Sequence, residues 1–359
     1  PGLMAQLGRL DAHLQSLRPG EDWSGSQRFS GQEGLGLGDG TGVLQDLADL
    51  DALASQLGQH YGGANLSDLD LDALARQLGD DAAVSASTLA QLERTLRDGG
   101  YVNNWQWGFG SARRIIQTLT RAGVDVVEVG FLRNVDGYDP DVTVCNTIEE
   151  LNRLLPDEGQ RGHTMYSGMA MRSNYDIAKL SPYDGHGIEI IRITAHDYDI
   201  KDGMDFARRI KELGYKVSIN PINIMGYADK DLLWILDQVN EIHPYQFSIV
   251  DTFGSMRRRD LERIVSLVDH NLAPDIRVGL HLHENMALSF CLAQEFLDKH
   301  LGRDTTVDGS LMGMGRIPGN LPIELIADYM NETLGCHYDI DEMMDAIQDH
   351  IAPLKGETA

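Results

Sequence analysis

The stretch DIRVGLHLHEN, residues 275–285, decides the fold we expect for this chain, because it joins a strand pattern to two neighbouring histidines. Apolar residues at positions 278, 280 and 282 alternate with Gly279, His281 and His283, and this period of two predicts a β-strand. Side chains two apart leave the same face of a strand, so both imidazoles share one face. Such a pair suits a divalent metal, because the strand positions the ligands in advance, although ordinary buried histidines can show the same spacing.

Strand-like and helix-like segments alternate from about residue 94 onward, which is typical of parallel βαβ units. The predicted strands are 124–131, 163–169, 187–194, 216–220, 246–251, 277–283 and 306–311. The predicted helices are 111–122, 202–213, 229–242, 256–268 and 287–299. This alternation covers roughly the length of one (β/α)8 barrel, so we predict an α/β fold of the TIM-barrel type.

The expected first strand of this barrel conflicts with the local sequence pattern. It should lie just before Thr95, but the sequence there, STLAQLERTL (87–96), favours a helix, because Leu89, Leu92 and Leu96 fall at helical spacing. A chain that lacked this strand would form an open barrel with Asp98 poorly placed.

Residues 1–86 differ in composition from the rest of the chain. They contain no lysine, are rich in Asp, Gly, Leu and Gln, and include a Gly/Ser-rich stretch at 20–42. Short amphipathic helices are predicted at 43–57 and 69–78. We therefore predict a helical, partly disordered acidic appendage at 1–86 without a catalytic role, a TIM-barrel catalytic domain at 87–336, and a C-terminal helix (340–350) with a tail at 337–359.

Charge and cysteine content limit the class of protein. The formal net charge of −25 over 359 residues argues against nucleic-acid or anionic-membrane partners, which require a basic face. The three cysteines, at 145, 291 and 336, are far apart and lack CxxC spacing, which suits a reducing compartment. No signal peptide or membrane-length apolar run is evident. We expect a cytoplasmic protein.

Polar residues stand at the C-terminal ends of the predicted strands, where TIM barrels place their active sites. They are Arg97, Asp98, Tyr101, Glu128, Arg192, Thr194, His196, Asp251, His281 and His283, followed by Asn320 in the loop 313–320 after the last strand. Polar groups at strand ends are costly unless they are paired or functional. Their clustering therefore favours one shared site.

Five motifs in this order resemble the DRE-TIM metallolyases, the HMGL-like or pyruvate carboxyltransferase-domain family. They are TLRDGGY (95–101), VEVGF (127–131), DTFGSM (251–256), HLHEN (281–285) with the downstream ALS (287–289), and GMGRIPGN (313–320). The family includes 3-hydroxy-3-methylglutaryl-CoA lyase, isopropylmalate synthase and 4-hydroxy-2-oxovalerate aldolase. The HxHxNxxLS form is more similar to the hydroxy-oxo-acid aldolase branch than to the acyl-CoA branches.

The resemblance implies a divalent metal, Mn²⁺ or Mg²⁺, bound by Asp98, His281 and His283, with Asn320 at the position of a further ligand. The mixed nitrogen and oxygen donors also suit Zn²⁺. The resemblance further implies that Arg97 lies against the substrate oxygen that becomes an enolate oxygen. A Lewis acid and a fixed guanidinium are what such a negative oxygen requires.

Three residues keep alternative interpretations. Glu128 either orients Arg97 or a metal ligand, with Arg192 as another partner, or forms a purely structural buried ion pair. Asp251 is interpreted more readily as an N-cap than as a catalytic group. Tyr101 stands where this aldolase branch has a histidine base. It is therefore either a base with a lowered pKa or an aromatic wall, and in the second case the base is His196 or a water on the metal.

These residues predict a metal-dependent aldolase or lyase that cleaves or forms a C–C bond next to a 2-oxo acid through an enolate. The alternatives are an acetyl-CoA-dependent Claisen acyltransferase and a barrel that has lost activity. The expected partner is a small-molecule 2-oxo acid, with homo-oligomerisation plausible. No dehydrogenase partner is expected, because residues 337–359 are too few for the docking domain that the metabolic aldolases carry.

Overall fold

Eight parallel strands form a closed barrel in this computed structural model, which describes residues 88–316 and 318–356. They are β1 Leu89–Glu93, β2 Val126–Leu132, β3 Met165–Ala170, β4 Ile190–Ala195, β5 Lys216–Pro221, β6 Gln246–Asp251, β7 Arg277–Leu282 and β8 Thr305–Gly309. Each strand pairs with its neighbours in chain order. The pairs Leu89–Thr305 and Leu92–Val126 join β1 to β8 and to β2, which closes the ring. The predicted (β/α)8 barrel is confirmed.

The helical prediction for residues 87–96 is wrong, because this segment forms β1. Leu92 packs inside the barrel against Val126 and Ile190, while the Gln91 side chain contacts Met330 in the outer layer. Both faces of the strand are therefore covered, so it lacks the alternation of apolar and polar residues that marks a half-buried strand. The leucine spacing spans the strand and the π-helical turn after it, Thr95–Gly99.

Eight α-helices of at least five residues follow in the described part of the chain. They are α1 Phe109–Arg121, α2 Ile148–Asn152, α3 Ile200–Glu212, α4 Asp229–Ile242, α5 Arg258–Asn271, α6 Ser289–Leu297, α7 Ile323–Leu334 and α8 Ile340–Ala346. Shorter helices are Gly100–Asn103 and Ala352–Lys355, and a second π-helical turn covers Ile347–Ile351. The predicted helices correspond to α1 and α3–α6, with α4 matching at both ends.

The remaining short elements lie mostly in the loops. Single 3-10 turns occupy Glu158–Gln160, Ile177–Lys179, Asp197–Asp199, Ile224–Gly226 and Leu311–Gly313, and a two-residue strand, Val144–Cys145, pairs with β2. Within the described residues, only a 3-10 turn stands between β3 and β4 where the barrel pattern would place a helix. The predicted C-terminal helix at 340–350 is α8 continued by the π-helical turn.

Apolar packing supports the barrel from outside, and charge fills its C-terminal end. Helix α1, for example, buries Ile115, Ile116 and Leu119 completely. By contrast, Arg192 of β4 and Glu128 of β2 are both fully buried inside the barrel. Because inward-facing groups of a parallel barrel are shielded from water, such charges need partners there. Buried charge is therefore concentrated at the C-terminal end of the barrel.

The appendage predicted at 1–86, with its helices at 43–57 and 69–78, lies outside the described residues. The domain limits at 87 and 337 likewise stay predictions. At the C-terminal end, α8 contacts α1 through an ion pair of 2.7 Å between Arg121 Nη2 and Glu342 Oε2. Across residues 88–316 and 318–356, the helices are too short or too polar to cross a bilayer.

Candidate metal centre and active site

Three buried side chains that are far apart in the sequence meet at the C-terminal end of the barrel. Asp98 lies on the π-helical turn after β1, His281 lies in β7, and His283 follows β7 directly. Each offers one ligand atom, and these atoms all lie within 4.8 Å of one another. His281 Nε2 is 3.6 Å from Asp98 Oδ2. The closure of the barrel through β1 is what brings Asp98 to the two histidines.

Hydrogen bonding orients His283 toward this group. Its Nδ1 lies 2.9 Å from the backbone carbonyl oxygen of Asp251, so the imidazole donates from Nδ1. Nε2 then carries the lone pair, and this atom is buried without a partner, as is Asp98 Oδ2. A carbonyl that fixes the tautomer of a histidine is the usual support for a metal ligand.

His281 is held in its neutral form. Burial lowers the pKa of His281 well below its ordinary value, and the charges of His283 and Arg97 act in the same direction. A neutral imidazole is the form that binds a metal ion.

Asn320 stands next to the histidines through a backbone bridge to His283. Its Nδ2 donates to the carbonyl oxygen of Met314 at 2.8 Å, and its Oδ1 is buried without a partner. The candidate donors are therefore one carboxylate and two imidazoles, whose ligand atoms converge, with the amide oxygen of the adjacent Asn320 as a further candidate. Buried lone pairs without hydrogen-bond donors suit a divalent cation, and this mixed set accommodates Mn²⁺, Mg²⁺ or Zn²⁺.

Arg97 lies against the same group. Its Nε donates to Glu128 Oε2 at 2.6 Å, and its Nη1 lies 3.0 Å from Asp98 Oδ1. Burial lowers the pKa of this guanidinium, but the carboxylates of Asp98 and Glu128 outweigh it, so the pKa of Arg97 stands above its ordinary value. The third nitrogen, Nη2, is buried without a partner. One donor of a permanently charged, fixed guanidinium is thus available to a ligand.

Two further buried residues complete this cluster, and sequence reasoning missed both: Arg94 and Asp308. Arg94 Nη1 and Arg192 Nη2 both donate to Asp308 Oδ2, at 2.8 and 2.6 Å. Arg192 Nη1 also lies 3.5 Å from Glu128 Oε1. Burial raises the pKa of Asp308 to about 6, against the opposing effect of Arg192. Their positions at strand ends could have indicated a place in the site, since Arg94 follows β1 directly and Asp308 stands one residue before the end of β8.

Tyr101 packs as an aromatic residue. Its ring lies 4.7 Å from that of Trp105 and 6.3 Å from that of Phe131, edge to face in both cases, and the Arg316 Cζ lies 5.1 Å from its centre. Its side chain is about one-third exposed, at 36%. These contacts favour the interpretation of Tyr101 as an aromatic wall.

His196 is not part of the group of three candidate ligands and follows β4 directly. Its ring stacks on the exposed Tyr198 with 4.8 Å between centres, and its Nδ1 is 3.9 Å from Asp199 Oδ1. Thr194, two residues earlier on β4, is half-buried.

Asp251 supports the site through its backbone and its turn. Its carboxylate accepts hydrogen bonds from the backbone N–H groups of Ser255 and Met256, at 3.0 and 2.9 Å. Helix α5 begins later, after Arg257, so Asp251 caps the preceding turn rather than the helix itself. The same residue supplies the carbonyl that orients His283.

Known proteins resemble this chain over much of its length. The model of the HMGL-like family matches residues 192–349. The oxaloacetate decarboxylase of Mycobacterium tuberculosis is 27% identical over 259 residues, which cover 71% of this chain and 74% of that protein. The 4-hydroxy-2-oxovalerate aldolase of Thermomicrobium roseum is 27% identical over 272 residues, covering 73% and 72%.

A further relative is more similar to this chain, but over a shorter segment. An uncharacterised protein of Mycobacterium tuberculosis is 54% identical over 126 residues, or 34% of this chain. The chain spans only 19% of that protein's length.

Solved structures share the fold at low identity. The N-terminal domain of a putative aldolase from Bacteroides vulgatus has a TM-score of 0.60 at 24% identity, covering 74% of this chain and 87% of that one. The hydroxymethylglutaryl-CoA lyase of Pseudomonas aeruginosa has a TM-score of 0.58 at 16% identity, covering 76% and 94%. These structural likenesses show the barrel fold, and the HMGL-like match with the two relatives above makes the chain similar to the DRE-TIM superfamily.

Proposed function

We propose that the protein is a metal-dependent lyase of the aldolase type, which cleaves or forms a C–C bond next to the carbonyl of a 2-oxo acid. The observation that carries this proposal is the free Nη2 of Arg97, beside three converging candidate ligands in a buried site. A reaction through an enolate needs a fixed positive donor at the oxygen where negative charge develops. Arg97 meets that requirement.

Asp98, His281 and His283 would hold the ion, with Asn320 Oδ1 as a further donor. A divalent ion bound there supplies Lewis-acid polarisation of a 2-oxo group. The protein's own contribution is preorganisation. The Asp251 carbonyl fixes the ring of His283, and burial keeps His281 neutral, so neither imidazole has to reorient or lose a proton before binding.

Arg97 would bind the substrate oxygen that turns into the enolate oxygen. Glu128 and Asp98 occupy its Nε and Nη1, which leaves Nη2 aimed by two ion pairs rather than by a flexible side chain alone. A donor fixed in advance in a water-poor site stabilises developing charge more than a mobile one. In the cleavage direction, a base removes the proton of the substrate's hydroxyl group, and the bonding electrons move to the enolate.

Two side chains compete for the role of that base, Tyr101 and His196. The aromatic contacts of Tyr101 favour a positioning role, whereas His196 has a buried Nδ1 with no hydrogen-bond partner among the described residues. We assign the base to His196 or to water at the site.

A second reaction, decarboxylation of a 2-oxo diacid, would use the same enolate stabilisation. It is favoured by the likeness to a protein named oxaloacetate decarboxylase over 71% of this chain. Release of carbon dioxide, rather than of an aldehyde or a second oxo acid, distinguishes it from aldol cleavage. Release of free CoA thiol would instead support the Claisen acyltransferase alternative.

The enolate itself can be tested without knowing the whole substrate. The protein with Mn²⁺ should exchange the methyl protons of pyruvate for deuterium, followed by proton NMR, and EDTA should stop the exchange. Arg97→Met should lose it, Arg97→Lys should keep only a small part, and Arg259→Met, on the exposed face of α5, should behave as wild type. Exchange that persists in folded Arg97→Met, or its absence in the wild-type protein with metal, would reject the proposal.

A further inference from the structure

An aromatic cluster, formed by Tyr101, Trp105 and Phe131, lies beside the candidate metal ligands. The ring of Trp105 is 5.6 Å from that of Phe131, and its Nε1 donates to the carbonyl oxygen of Arg97 at 2.7 Å. Trp105 and Asn104 both take positive φ angles, 59° and 56°. This conformation is strained for non-glycine residues and concentrates at functional sites. The cluster is thus held in place at an energetic cost.

Two arginines stack on this aromatic cluster. The Arg133 Cζ lies 4.0 Å from the ring centre of Phe131 and 4.8 Å from that of Trp105, and the Arg316 Cζ lies 5.1 Å from that of Tyr101. Stacking occupies the faces of a guanidinium and leaves its in-plane N–H groups free to donate. Within residues 88–316 and 318–356, neither side chain forms a hydrogen bond or an ion pair, and Arg133 Nε is buried without a partner.

The buried carboxylates of the site do not neutralise Arg133 and Arg316. The buried cations Arg94, Arg97 and Arg192 are balanced in number by the buried carboxylates Asp98, Glu128 and Asp308, with which they form the ion pairs of the site. Arg133 and Arg316 therefore add positive charge at the mouth of the barrel, in a chain whose formal net charge is −25. Positive charge concentrated in one part of an acidic protein favours an anionic ligand there.

The ring of Phe131 lies close to both Arg97 and Arg133. Arg97 and Arg133 approach the same Phe131 ring, with their Cζ atoms 5.5 and 4.0 Å from its centre. Arg97 is buried, whereas Arg133 is half-buried at the end of β2. Their Cζ atoms therefore lie no more than 9.5 Å apart, and we take a single small substrate, bound at Arg97 by its 2-oxo end, to extend toward Arg133 with its other end.

We propose that Arg133 and Arg316 bind a second anionic group, a carboxylate or a phosphate, on the half of the substrate remote from the 2-oxo acid. The proposal rests on the proposed function, because it takes the 2-oxo end to lie at Arg97. It defines the substrate class as a doubly anionic 2-oxo acid and the released carbonyl compound as an anion. A guanidinium that stacks on an aromatic ring is well suited to such a group, since its fork matches carboxylate and phosphate oxygens.

A matched pair of ligands tests this site by binding alone. 2-Oxoglutarate and 2-oxopentanoate differ only in the distal group, a carboxylate in one and a methyl in the other. Titration calorimetry of the Mn²⁺-loaded protein should show that 2-oxoglutarate binds at least about tenfold more tightly than 2-oxopentanoate. A difference of this size is expected for a charge-assisted pair. The phosphonate 2-oxo-4-phosphonobutanoate, measured in parallel, identifies which of the two anions the site prefers.

Variants of the two arginines test whether these residues cause the preference for 2-oxoglutarate. Arg133→Met and Arg316→Met should each reduce the ratio of the two affinities severalfold, and should leave the affinity for 2-oxopentanoate within about twofold. Arg133→Lys should restore part of the ratio, and Arg259→Met should leave it unchanged. A thermal melt shows whether each variant is folded.

The outcomes separate this proposal from the proposed function. Equal affinities in the wild-type protein, a ratio insensitive to both arginine variants, or no binding of either ligand would overturn the anion site. If pyruvate exchange occurs while the affinities are equal, only the anion site fails. If the preference for 2-oxoglutarate is present and depends on Arg133 while exchange is absent, only the enolate chemistry fails.

Discussion

The guanidinium of Arg97, in the turn after β1, donates from Nε to Glu128 Oε2 in β2 at 2.6 Å, although the two residues lie 31 positions apart in the chain. Both side chains are buried, so this pair is shielded from solvent. Breaking such a pair leaves an uncompensated charge, which is far more costly than the net stability the intact pair provides. The pair therefore has more value as a device for aiming Arg97 than as a source of stability.

Glu128→Gln should impair catalysis more than it impairs the metal site. The amide oxygen can still accept from Arg97 Nε, but a neutral acceptor makes a weaker bond and leaves the charges of Arg97 and Arg192 less compensated. We expect pyruvate proton exchange to slow by roughly 10- to 100-fold, with the affinity for Mn²⁺ changed much less. Proton NMR and metal titration measure the two effects.

Glu342→Gln, which alters the surface pair with Arg121, is the control for that variant. A Glu128→Gln protein that is folded and exchanges pyruvate protons at the wild-type rate would show that Glu128 has only a structural role.

Removal of one imidazole should abolish stabilisation by metal. Ligand binding to the folded state raises the free energy of unfolding, by roughly 3 kcal/mol at a hundredfold excess over the dissociation constant. The EDTA-treated wild-type protein should therefore melt at a higher temperature after Mn²⁺ is added, whereas His283→Ala should not. His270→Ala, an exposed histidine of α5, should respond as wild type. An equal response in all three proteins would place the metal elsewhere.

Much of this site could be predicted from sequence because its residues stand at strand ends. The period-two pattern around His281 and His283 is visible without a structure, and the five motifs occur in barrel order. Asp98 was harder to assign, since its position depends on β1, and Leu89, Leu92 and Leu96 suggested a helix. The strand forms because parallel pairing on both sides, with β2 and β8, outweighs local spacing.

The inner charge cluster could not be predicted in the same way. Arg94 and Asp308 come together only when β1 and β8 become neighbours, at a separation of 214 residues. Each alone resembles an ordinary polar residue beside a loop. Similarly, His283 is oriented by the backbone carbonyl of Asp251. Every residue has a backbone carbonyl, so a sequence motif cannot predict this contact.

Tyr101→Phe separates the two roles left open for this residue. If the ring acts as a wall against Trp105 and Phe131, the hydroxyl is dispensable, and aldol turnover should stay within about threefold of wild type. Tyr101→Ala should lose more, because it removes the ring on which Arg316 stacks. Steady-state kinetics of pyruvate release measure both variants.

His196→Ala is the companion variant. We expect it to lower turnover by roughly 10²-fold or more if this imidazole is the general base, with little change in pyruvate methyl exchange if that exchange uses another base. A drop of that size in Tyr101→Phe, with His196→Ala active, would assign the base to Tyr101 instead.

Glu93 of β1 predicts a pH dependence of stability. It is fully buried, and its carboxylate accepts hydrogen bonds from the backbone N–H and the hydroxyl of Thr95. Burial raises the pKa of Glu93 from its ordinary value of 4.5 to about 7, even though the bonds from Thr95 lower it. Between these values the folded protein retains a proton that the unfolded chain has released. Stability should therefore fall as the pH rises from about 4.5 to about 7.

The size of this effect is set by the pKa difference, and Glu93→Gln removes it because the amide does not titrate. Since one pKa unit corresponds to about 1.4 kcal/mol, the wild-type protein should lose about 3 kcal/mol relative to Glu93→Gln across that range. Urea unfolding in EDTA at a series of pH values measures the difference, with Glu332→Gln on the exposed face of α7 as the control. A difference between wild type and Glu93→Gln that stays constant with pH would mean that Glu93 is ionised in the folded protein, and that the charge beside β1 is balanced by the neighbouring arginines rather than by a proton.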